Sequence, residues 1–288
     1  MNGIIIVNKE AGLTSREVVE VIEKQLHVKA GHTGTLDPIA KGVLAVCVNK
    51  ATKISRDLTS IDKEYEAKII LGLETDTLDI TGRVLKEEKS IISKDQIEEA
   101  LSKFKTTYNQ EVPIYSAVKI KGKKLYEYAR NNEEVELPKR EVTIYDIKLI
   151  NYEVKDNKTI LKIYTKVSKG TYIRGLIRDI AHSLNTVGTM SGLTRTAQGK
   201  FKIEDAYTLE DIKNNKFNII SIKDALDIPV VEVDDDLKFK IIHAQKLNPD
   251  YEKVLFVDKD NNELAIYHKE NNELRVWKML YNHMEDSK

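Results

Sequence analysis

Residues 31–38, which read GHTGTLDP, constrain this chain more than any other segment, because they place one carboxylate on a restricted loop between two apolar segments. Gly31 and Gly34 permit backbone angles and close approaches that a Cβ atom would forbid. Pro38 fixes its own φ and favours an extended conformation at Asp37. Asp37 is therefore a candidate nucleophile or base. From the residues alone, the favoured explanation is a tight turn with Asp37 as a capping or turn acid, since Asp and Gly dominate turns.

The hydrophobic pattern predicts strands and helices in irregular order. Strands are expected at 3–7, 43–48, 64–71 and 160–167, and Tyr65 lies on the apolar side of the third. Two capping boxes, at residues 14–17 and 93–96, open helices, and a third helix runs from Arg174 to about Leu184. Because no regular strand-helix-strand repeat is present, the chain is predicted to be an α+β protein on a mixed sheet.

A change of character past residue 208 predicts a domain boundary. A polar segment leads to Pro229, and three short strand patterns separated by Asp, Asn and Lys turns then follow at 254–257, 263–267 and 273–277. We therefore expect a catalytic domain over 1–228 and a small β-rich module over 229–288.

Composition excludes several classes of function. The single cysteine, Cys47, lies in an apolar run and is expected to be a buried structural thiol, which rules out a disulfide framework. The six histidines lack metal-ligand spacing, and no glycine-rich nucleotide-binding motif is present, so we expect no metal and no cofactor. No window approaches the length of a membrane span, and a cytoplasmic protein is expected.

The charge is balanced overall but unevenly distributed. Forty-six basic residues face 46 acidic ones, yet residues 162–178 carry five basic residues and no acid. Residues 110–140 are basic and aromatic, with Tyr115, Tyr126 and Tyr128 among lysines. Aromatic faces accept stacked bases and lysines accept phosphates, so this pattern is typical of an RNA-contacting loop. A surface helix over 123–130 and solvated lysines explain the same pattern without RNA.

Residues 31–38 also match, residue for residue, the signature of the TruB family of tRNA pseudouridine synthases, and the chain resembles the bacterial, stand-alone type of that family. Eight further motifs follow in family order over about the first 200 residues. They are Asn8-Lys9 followed by Gly12–Ser15, Ala51–Lys53, Lys63–Tyr65, Gly72–Gly82, Pro113–Lys119, Gly122–Arg130, Gly170–Arg174 and Leu193–Thr196.

The resemblance implies a fold, a reaction and a substrate. The fold would be a pseudouridine synthase domain, with a mixed, mostly antiparallel sheet flanked by helices, and a C-terminal module of the PUA type. The insertion at about 110–140 would close over the tRNA arm. The enzyme would isomerise uridine 55 in the tRNA T loop after flipping it out of the stack. It would act as a monomer on tRNA, without a membrane, a guide RNA or a cofactor.

The resemblance also implies roles for five residues. Asp37 would be the catalytic carboxylate and Arg174 its positive partner. Tyr65 would stack on the flipped base, Leu193 would line the base pocket, and His32 would fill the space that the nucleotide leaves. Taken alone, each has an ordinary structural explanation, such as a surface arginine for Arg174 or a core residue for Tyr65 and Leu193.

Three alternatives stay open at this point. A non-catalytic RNA-binding protein on the same scaffold would be expected to lose Asp37 or Arg174, and both are present. A nucleosidase would need a second carboxylate, for which Asp76 and Asp79 are available. A guide-RNA-dependent enzyme of the dyskerin type is a closer alternative, and the insertion at 113–130 favours the stand-alone type.

Overall fold

A nine-stranded mixed sheet organises the first two thirds of the chain in the computed structural model, which describes residues 1–282. In chain order, the strands of this part of the chain are β1 (Gly3–Lys9), β2 (Ala30–His32), β3 (Lys41–Val48), β4 (Lys63–Leu71), β5 (Leu73–Thr75), β6 (Val84–Glu87), β7 (Thr107–Glu111), β8 (Lys119–Ile120), β9 (Lys123–Lys124), β10 (Lys139–Lys155), β11 (Lys158–Val167), β12 (Gly188–Gln198) and β13 (Phe201–Lys202). The helices are α1 (Ser15–Leu26), α2 (Ser55–Thr59), α3 (Lys94–Lys103), α4 (Leu125–Arg130), α5 (Ile173–Ser183), α6 (Leu209–Lys213) and α7 (Ile222–Ala225), with 3-10 turns at Asn49–Ile54 and Ile203–Asp205.

The strand order of the large sheet is β1-β3-β12-β4-β11-β10-β7, with β2 on β3 and β13 on β12. The β3–β12 pair is parallel and the other pairs are antiparallel. The expected mixed, mostly antiparallel sheet is thus confirmed. The strands β5 with β6 and β8 with β9 form two separate hairpins.

Both expected capping boxes open helices. At α1, the Glu17 amide donates to Thr14 Oγ1 at 3.1 Å, and the Thr14 amide donates to Glu17 Oε2 at 2.6 Å. Such reciprocal bonds satisfy amides that a helix start leaves without partners. The box at Ser93 opens α3 in the same way. Helix α1 then buries its apolar side against β1 and β3, while α3 and α5 cover β4 and β11.

Two of the longest strands, β10 and β12, were not predicted from the sequence. The β10 pairing slips between Ile144 and Asp146, and again between Leu149 and Asn151. The β12 pairing slips at Met190–Gly192 and at Arg195–Ala197. Each bulge adds one residue to a strand, so the alternation of buried and exposed positions changes phase within it. A search for an unbroken period of two therefore misses both.

The C-terminal module is β-rich as predicted, with a four-stranded sheet of β14 (Val230–Glu232), β15 (Lys253–Val257), β16 (Glu263–Glu270) and β17 (Glu273–Met279) and the helix α8 (Asp235–Ile242). Leu255, Val257 and Ile266 pack against Ile4 and Ile6 of β1 in one apolar cluster. Residues 283–288, the end of the expected module, lie outside the described residues. Because the cluster crosses the 228/229 boundary, the two parts share a core.

Cys47 lies in the same cluster and is fully buried. Burial raises the pKa of its thiol to about 12, because the thiolate is disfavoured away from water. Cys47 is therefore a structural thiol, as the sequence indicated.

Candidate active site

Asp37 and Arg174 form a two-pronged ion pair. Arg174 Nε lies 2.9 Å from Asp37 Oδ2, and Arg174 Nη2 donates to Asp37 Oδ1 at 3.1 Å. The guanidinium fork matches the carboxylate and fixes its plane through two charge-assisted hydrogen bonds. The Arg174 side chain is 8% exposed, whereas that of Asp37 is 34% exposed. The arginine is thus a buried support and the carboxylate is left accessible.

The remaining nitrogens of Arg174 are also held. Nη1 donates to the Thr77 carbonyl at 2.9 Å, Nη2 donates to the Tyr115 carbonyl at 3.1 Å, and Asp79 Oδ2 lies 4.0 Å from Nη1. A surface arginine would make few of these contacts. The two segments 75–82 and 113–117 therefore fix the guanidinium that fixes Asp37.

Helix α5, which carries Arg174, is positioned by a buried glutamine that the sequence did not reveal. Gln110 Oε1 accepts from the Tyr172 amide at 2.8 Å, and Gln110 Nε2 donates to the Tyr172 carbonyl at 3.1 Å. These bonds tie the residue before the helix to β7. The start of α5, and with it the Arg174 backbone, is thereby held against the sheet.

The Asp37 loop is anchored by side chains from distant parts of the chain. Ser15 Oγ donates to the Leu36 carbonyl at 3.1 Å and accepts from the Leu36 amide at 2.9 Å. The ammonium of Lys9, which is fully buried, donates to the Ala40 carbonyl at 2.6 Å. Arg195 Nη2 donates to the Gly34 carbonyl at 2.9 Å. Contacts on both sides of Asp37 therefore hold the loop in one conformation.

The glycines of the octet do not all have the expected role. A Cβ atom at Gly31 would meet no heavy atom within 4 Å, so the expected close approach at Gly31 is wrong. The close approach occurs at Gly42, where φ is +102° and a Cβ atom would lie 2.2 Å from the Arg195 carbonyl oxygen. The parallel pairing of β3 with β12 at this point leaves no room for a side chain.

A cavity of about 480 Å³ opens beside the ion pair, within the range of small-ligand sites. Of the expected site residues, Asp37, Tyr65, Arg174 and Leu193 line it, whereas His32 does not. Tyr65 is 7% exposed and Leu193 is 8% exposed, and the β4–β12 pairing sets them on neighbouring strands. Further lining residues include three tyrosines, namely Tyr115, Tyr126 and Tyr172. The walls are therefore rich in aromatic faces.

His32 lies on β2, paired with Val46 of β3. Burial and the positive charges of Arg195 and Arg16 lower the pKa of its imidazole, so the neutral ring predominates at neutral pH. Its Nδ1 is buried and has no hydrogen-bond partner among residues 1–282. The structure thus places His32 on β2 and outside the cavity lining.

Asp76 and Asp79, the carboxylates available to a nucleosidase, have local structural partners. Asp79 Oδ1 accepts from the Thr81 hydroxyl at 2.5 Å and from the Thr81 amide at 2.9 Å. Asp76 Oδ1 accepts from the Arg83 amide at 2.9 Å. Neither carboxylate lines the cavity. Asp37 therefore does not share the cavity with either of the carboxylates that a nucleosidase could pair with it.

Two buried cations on the cavity wall, Lys63 and Arg195, are not among the site residues predicted from the sequence. A signal was present, because the alternation that buries Tyr65 on β4 also places Lys63 on the buried side. Arg195 likewise lies two residues beyond Leu193 on β12. A charge at a buried position of an otherwise apolar pattern is the informative observation.

The basic run at 162–178 does not form one positive face. Lys162 pairs with Glu66, and Arg178 pairs with Glu111 and Asp179. Arg174 is committed to Asp37. Of the residues in this run, Lys169 is exposed and is adjacent in sequence to Gly170, which lines the cavity.

Within the described chain, no helix has the length and apolar character needed to cross a bilayer. Residues 1–282 also contain no group of three or more His, Cys, Asp or Glu side chains placed to hold a metal ion.

Comparison with known proteins gives concordant matches. Residues 21–173 match the model of the TruB family pseudouridylate synthase N-terminal domain. The matched range includes Asp37 and ends one residue before Arg174. The tRNA pseudouridine synthase B of Caldanaerobacter subterraneus subsp. tengcongensis is 44% identical over 92% of this chain and 94% of its own length. The Mycoplasma mycoides subsp. mycoides SC protein of the same name is 42% identical over 92% of each chain.

A solved structure matches the fold over nearly the whole chain. The Cbf5 chain in the crystal structure of a Cbf5–Nop10–Gar1 complex superposes with a TM-score of 0.71. The match covers 98% of this chain and 86% of that chain at 25% identity.

Proposed function

Because the chain belongs to the TruB family of pseudouridine synthases, we propose that it converts uridine 55 in the T loop of tRNA to pseudouridine. The enzyme is a tRNA pseudouridine synthase, an isomerase. One observation carries the proposal for its site. An accessible carboxylate, Asp37, is fixed by the buried Arg174 at the wall of an aromatic-lined cavity.

Recognition requires the target uridine to leave its base stack. Extrusion costs a few kcal/mol of unstacking, which stacking in a pocket and phosphate contacts recover. We assign Tyr65 to stacking on the flipped base and Leu193 to the apolar side of the base pocket, since both line the cavity. We assign His32, which lies on β2 outside the cavity lining, to the space that the extruded nucleotide leaves.

The reaction breaks the N1–C1′ bond of uridine, turns the base and joins C5 to C1′. The proton on C5 is released and N1 gains one, so no redox partner, cofactor or energy input is needed. Asp37 either adds to the pyrimidine ring or assists departure of the base and manages the proton at ribose C2′. In both routes, Arg174 holds the carboxylate in place, and Tyr65 is near enough to the cavity to carry a proton.

A T-arm minihelix tritiated at uridine C5 tests the reaction. The wild type is expected to release tritium, and Asp37→Asn is expected to release none while still binding the RNA, because the amide keeps the shape but not the charge. Unchanged RNA mass distinguishes the isomerase from a nucleosidase, which would free uracil. Tritium release by Asp37→Asn at the wild-type rate would refute the assignment of Asp37.

The same assay tests independence from a guide RNA. The segment between β7 and β10 places Tyr115, Ser116 and Tyr126 on the cavity wall, which supports a substrate contact made by the protein itself. We propose that the enzyme acts on tRNA as a cytoplasmic monomer. Purified protein and synthetic T-arm RNA alone should therefore give full turnover, and a requirement for a second RNA would contradict this.

We further propose that residues 229–288 form a PUA-like module. Its support is the four-stranded sheet and its position after the catalytic domain.

A further inference from the structure

We propose that four cations at the mouth of the cavity bind a backbone phosphate next to the target uridine. This rim cluster consists of Lys63, Arg140, Lys169 and Arg195. The inference rests on the proposed function, since the anion that it binds belongs to the RNA substrate.

Two adjoining cavities bring the rim cluster together. The active-site cavity is lined by Lys63 and Arg195. A second cavity of about 490 Å³ is lined by Arg140 and Lys169. Thr59 and Gly170 line both cavities, so the two cavities share a wall. A strand whose flipped nucleotide enters the first cavity would have its flanking backbone over this shared wall.

The inner pair of cations is built into the fold. Arg195 is 1% exposed and Lys63 is 8% exposed. Lys63 Nζ donates to the Thr59 carbonyl at 2.9 Å and to the Ile61 carbonyl at 2.6 Å. An ammonium has three N–H donors, so one remains for an anion. Lys63 is therefore oriented before any ligand arrives.

Arg195 has a free donor facing the same point. Its Nε and Nη2 donate to the carbonyls of Val43 and Gly34, and Nη1 has no acceptor in the described part of the chain. The position that a Cβ atom would take on Gly34 lies 3.4 Å from Arg195 Nη1 and 3.6 Å from Lys63 Cε. The two cationic side chains thus converge over Gly34.

The outer pair lies at the surface. The Arg140 side chain lies against Gly170, where a Cβ atom would come within 2.9 Å of Arg140 Nη1. Both Arg140 and Lys169 are exposed. A glycine at position 170 therefore lets the Arg140 guanidinium lie close to the backbone at the shared wall.

No carboxylate neutralises the rim cluster. Within residues 1–282, none of its four members lies within 4.0 Å of an acidic oxygen, although Asp62 and Glu141 are nearby. Arg174 and Arg178, by contrast, are both in ion pairs. Buried cations without a counter-ion are costly unless an anion is bound. An RNA phosphate supplies that anion at the place where the substrate must pass.

Charge-removal variants at the outer, exposed positions test the proposal without disturbing the core. Lys169→Gln and Arg140→Gln should each weaken binding of a T-arm minihelix by about tenfold at low salt and reduce the salt slope of log affinity by about one. The matched control is Lys155→Gln, which removes one exposed charge at the opposite end of the β10–β11 hairpin. Lys169→Arg should restore wild-type affinity.

A neutral backbone probe identifies the contact as a phosphate. Minihelices with a single methylphosphonate on either side of the target uridine should bind the wild type more weakly. At one of these two linkages, the methylphosphonate should not weaken the binding of Lys169→Gln any further. If the loss is the same in both proteins at both linkages, the phosphate contact is refuted. Tritium release by the wild type is measured in parallel, so failure of the reaction is distinguished from failure of the rim cluster.

Discussion

At the scale of single residues, the site depends on how each charge is surrounded. About a third of the Asp37 side chain is accessible, whereas every side-chain nitrogen of Arg174 has a protein acceptor. Breaking such a buried pair from the arginine side would leave an uncompensated carboxylate and two carbonyls without donors. Arg174 is therefore committed to holding Asp37 and its neighbouring carbonyls, and every one of its side-chain nitrogens already has a protein acceptor.

We expect RNA affinity to depend on pH because of Lys63. Burial is the largest cause that lowers the pKa of Lys63 to about 8; the positive charges of Arg195 and Lys169 act in the same direction, and Asp62 opposes them. A bound phosphate favours the protonated amine, so binding couples to proton uptake above that pKa. Affinity for the minihelix should be constant below pH 8 and should fall as pH rises above 8.

Lys63→Arg provides the control for this dependence, because a guanidinium stays charged across the range. Binding measured by fluorescence anisotropy between pH 6.5 and 9.5 should follow the titration in the wild type and be flat in Lys63→Arg. A wild-type affinity that does not change through pH 9 would contradict the assignment.

At the scale of elements, the first turn of α1 serves two purposes. Thr14 caps the helix, whereas the adjacent Ser15 holds the Leu36 backbone through two hydrogen bonds. Helix formation and placement of the Asp37 loop thus depend on neighbouring hydroxyls. The two functions can be separated by substitution.

Ser15→Ala should lower turnover, because it releases the loop on which Asp37 lies. We expect kcat to fall about tenfold or more, since small misplacements of a reacting group are costly, with a stability loss of about 1–3 kcal/mol. Thr14→Ala is the matched control, with a loss of about 1 kcal/mol from the missing cap and unchanged kcat. Tritium release and urea unfolding measure both. Equal kcat values for the two variants would show that Ser15 does not position the loop.

At the scale of the whole molecule, the C-terminal strands and the first part of the chain share one apolar cluster. Leu255 and Ile266 belong to the same apolar cluster as Ile4 and Ile6 of β1, and Lys253 pairs with Asp57 of α2. Strand β1 lies at the edge of the large sheet. The two parts of the chain are therefore joined by an apolar cluster and an ion pair.

The shared core predicts a single thermal transition for the full chain. Leu255→Ala, at the contact between the two parts, should shift that transition downward through a loss of about 2–5 kcal/mol. Leu274→Ala, in the module's own core, should shift the same transition by a similar amount. Differential scanning calorimetry measures both variants. Two separate peaks in either variant would mean that the module unfolds independently.

The sequence determined the local features, because capping boxes and unbroken alternation depend on neighbours along the chain. It located α1, α3 and β4 and marked the Asp37 loop, and family motifs named Arg174 as its partner. Only the tertiary structure decided what depends on residues far apart: the bulged β10 and β12, the anchors Ser15 and Gln110, and the meeting of Lys63 with Arg195. Alternation can show that a position such as Lys63 is buried, but it does not show which residue it meets, since strand register and loop packing, rather than sequence spacing, bring the side chains together.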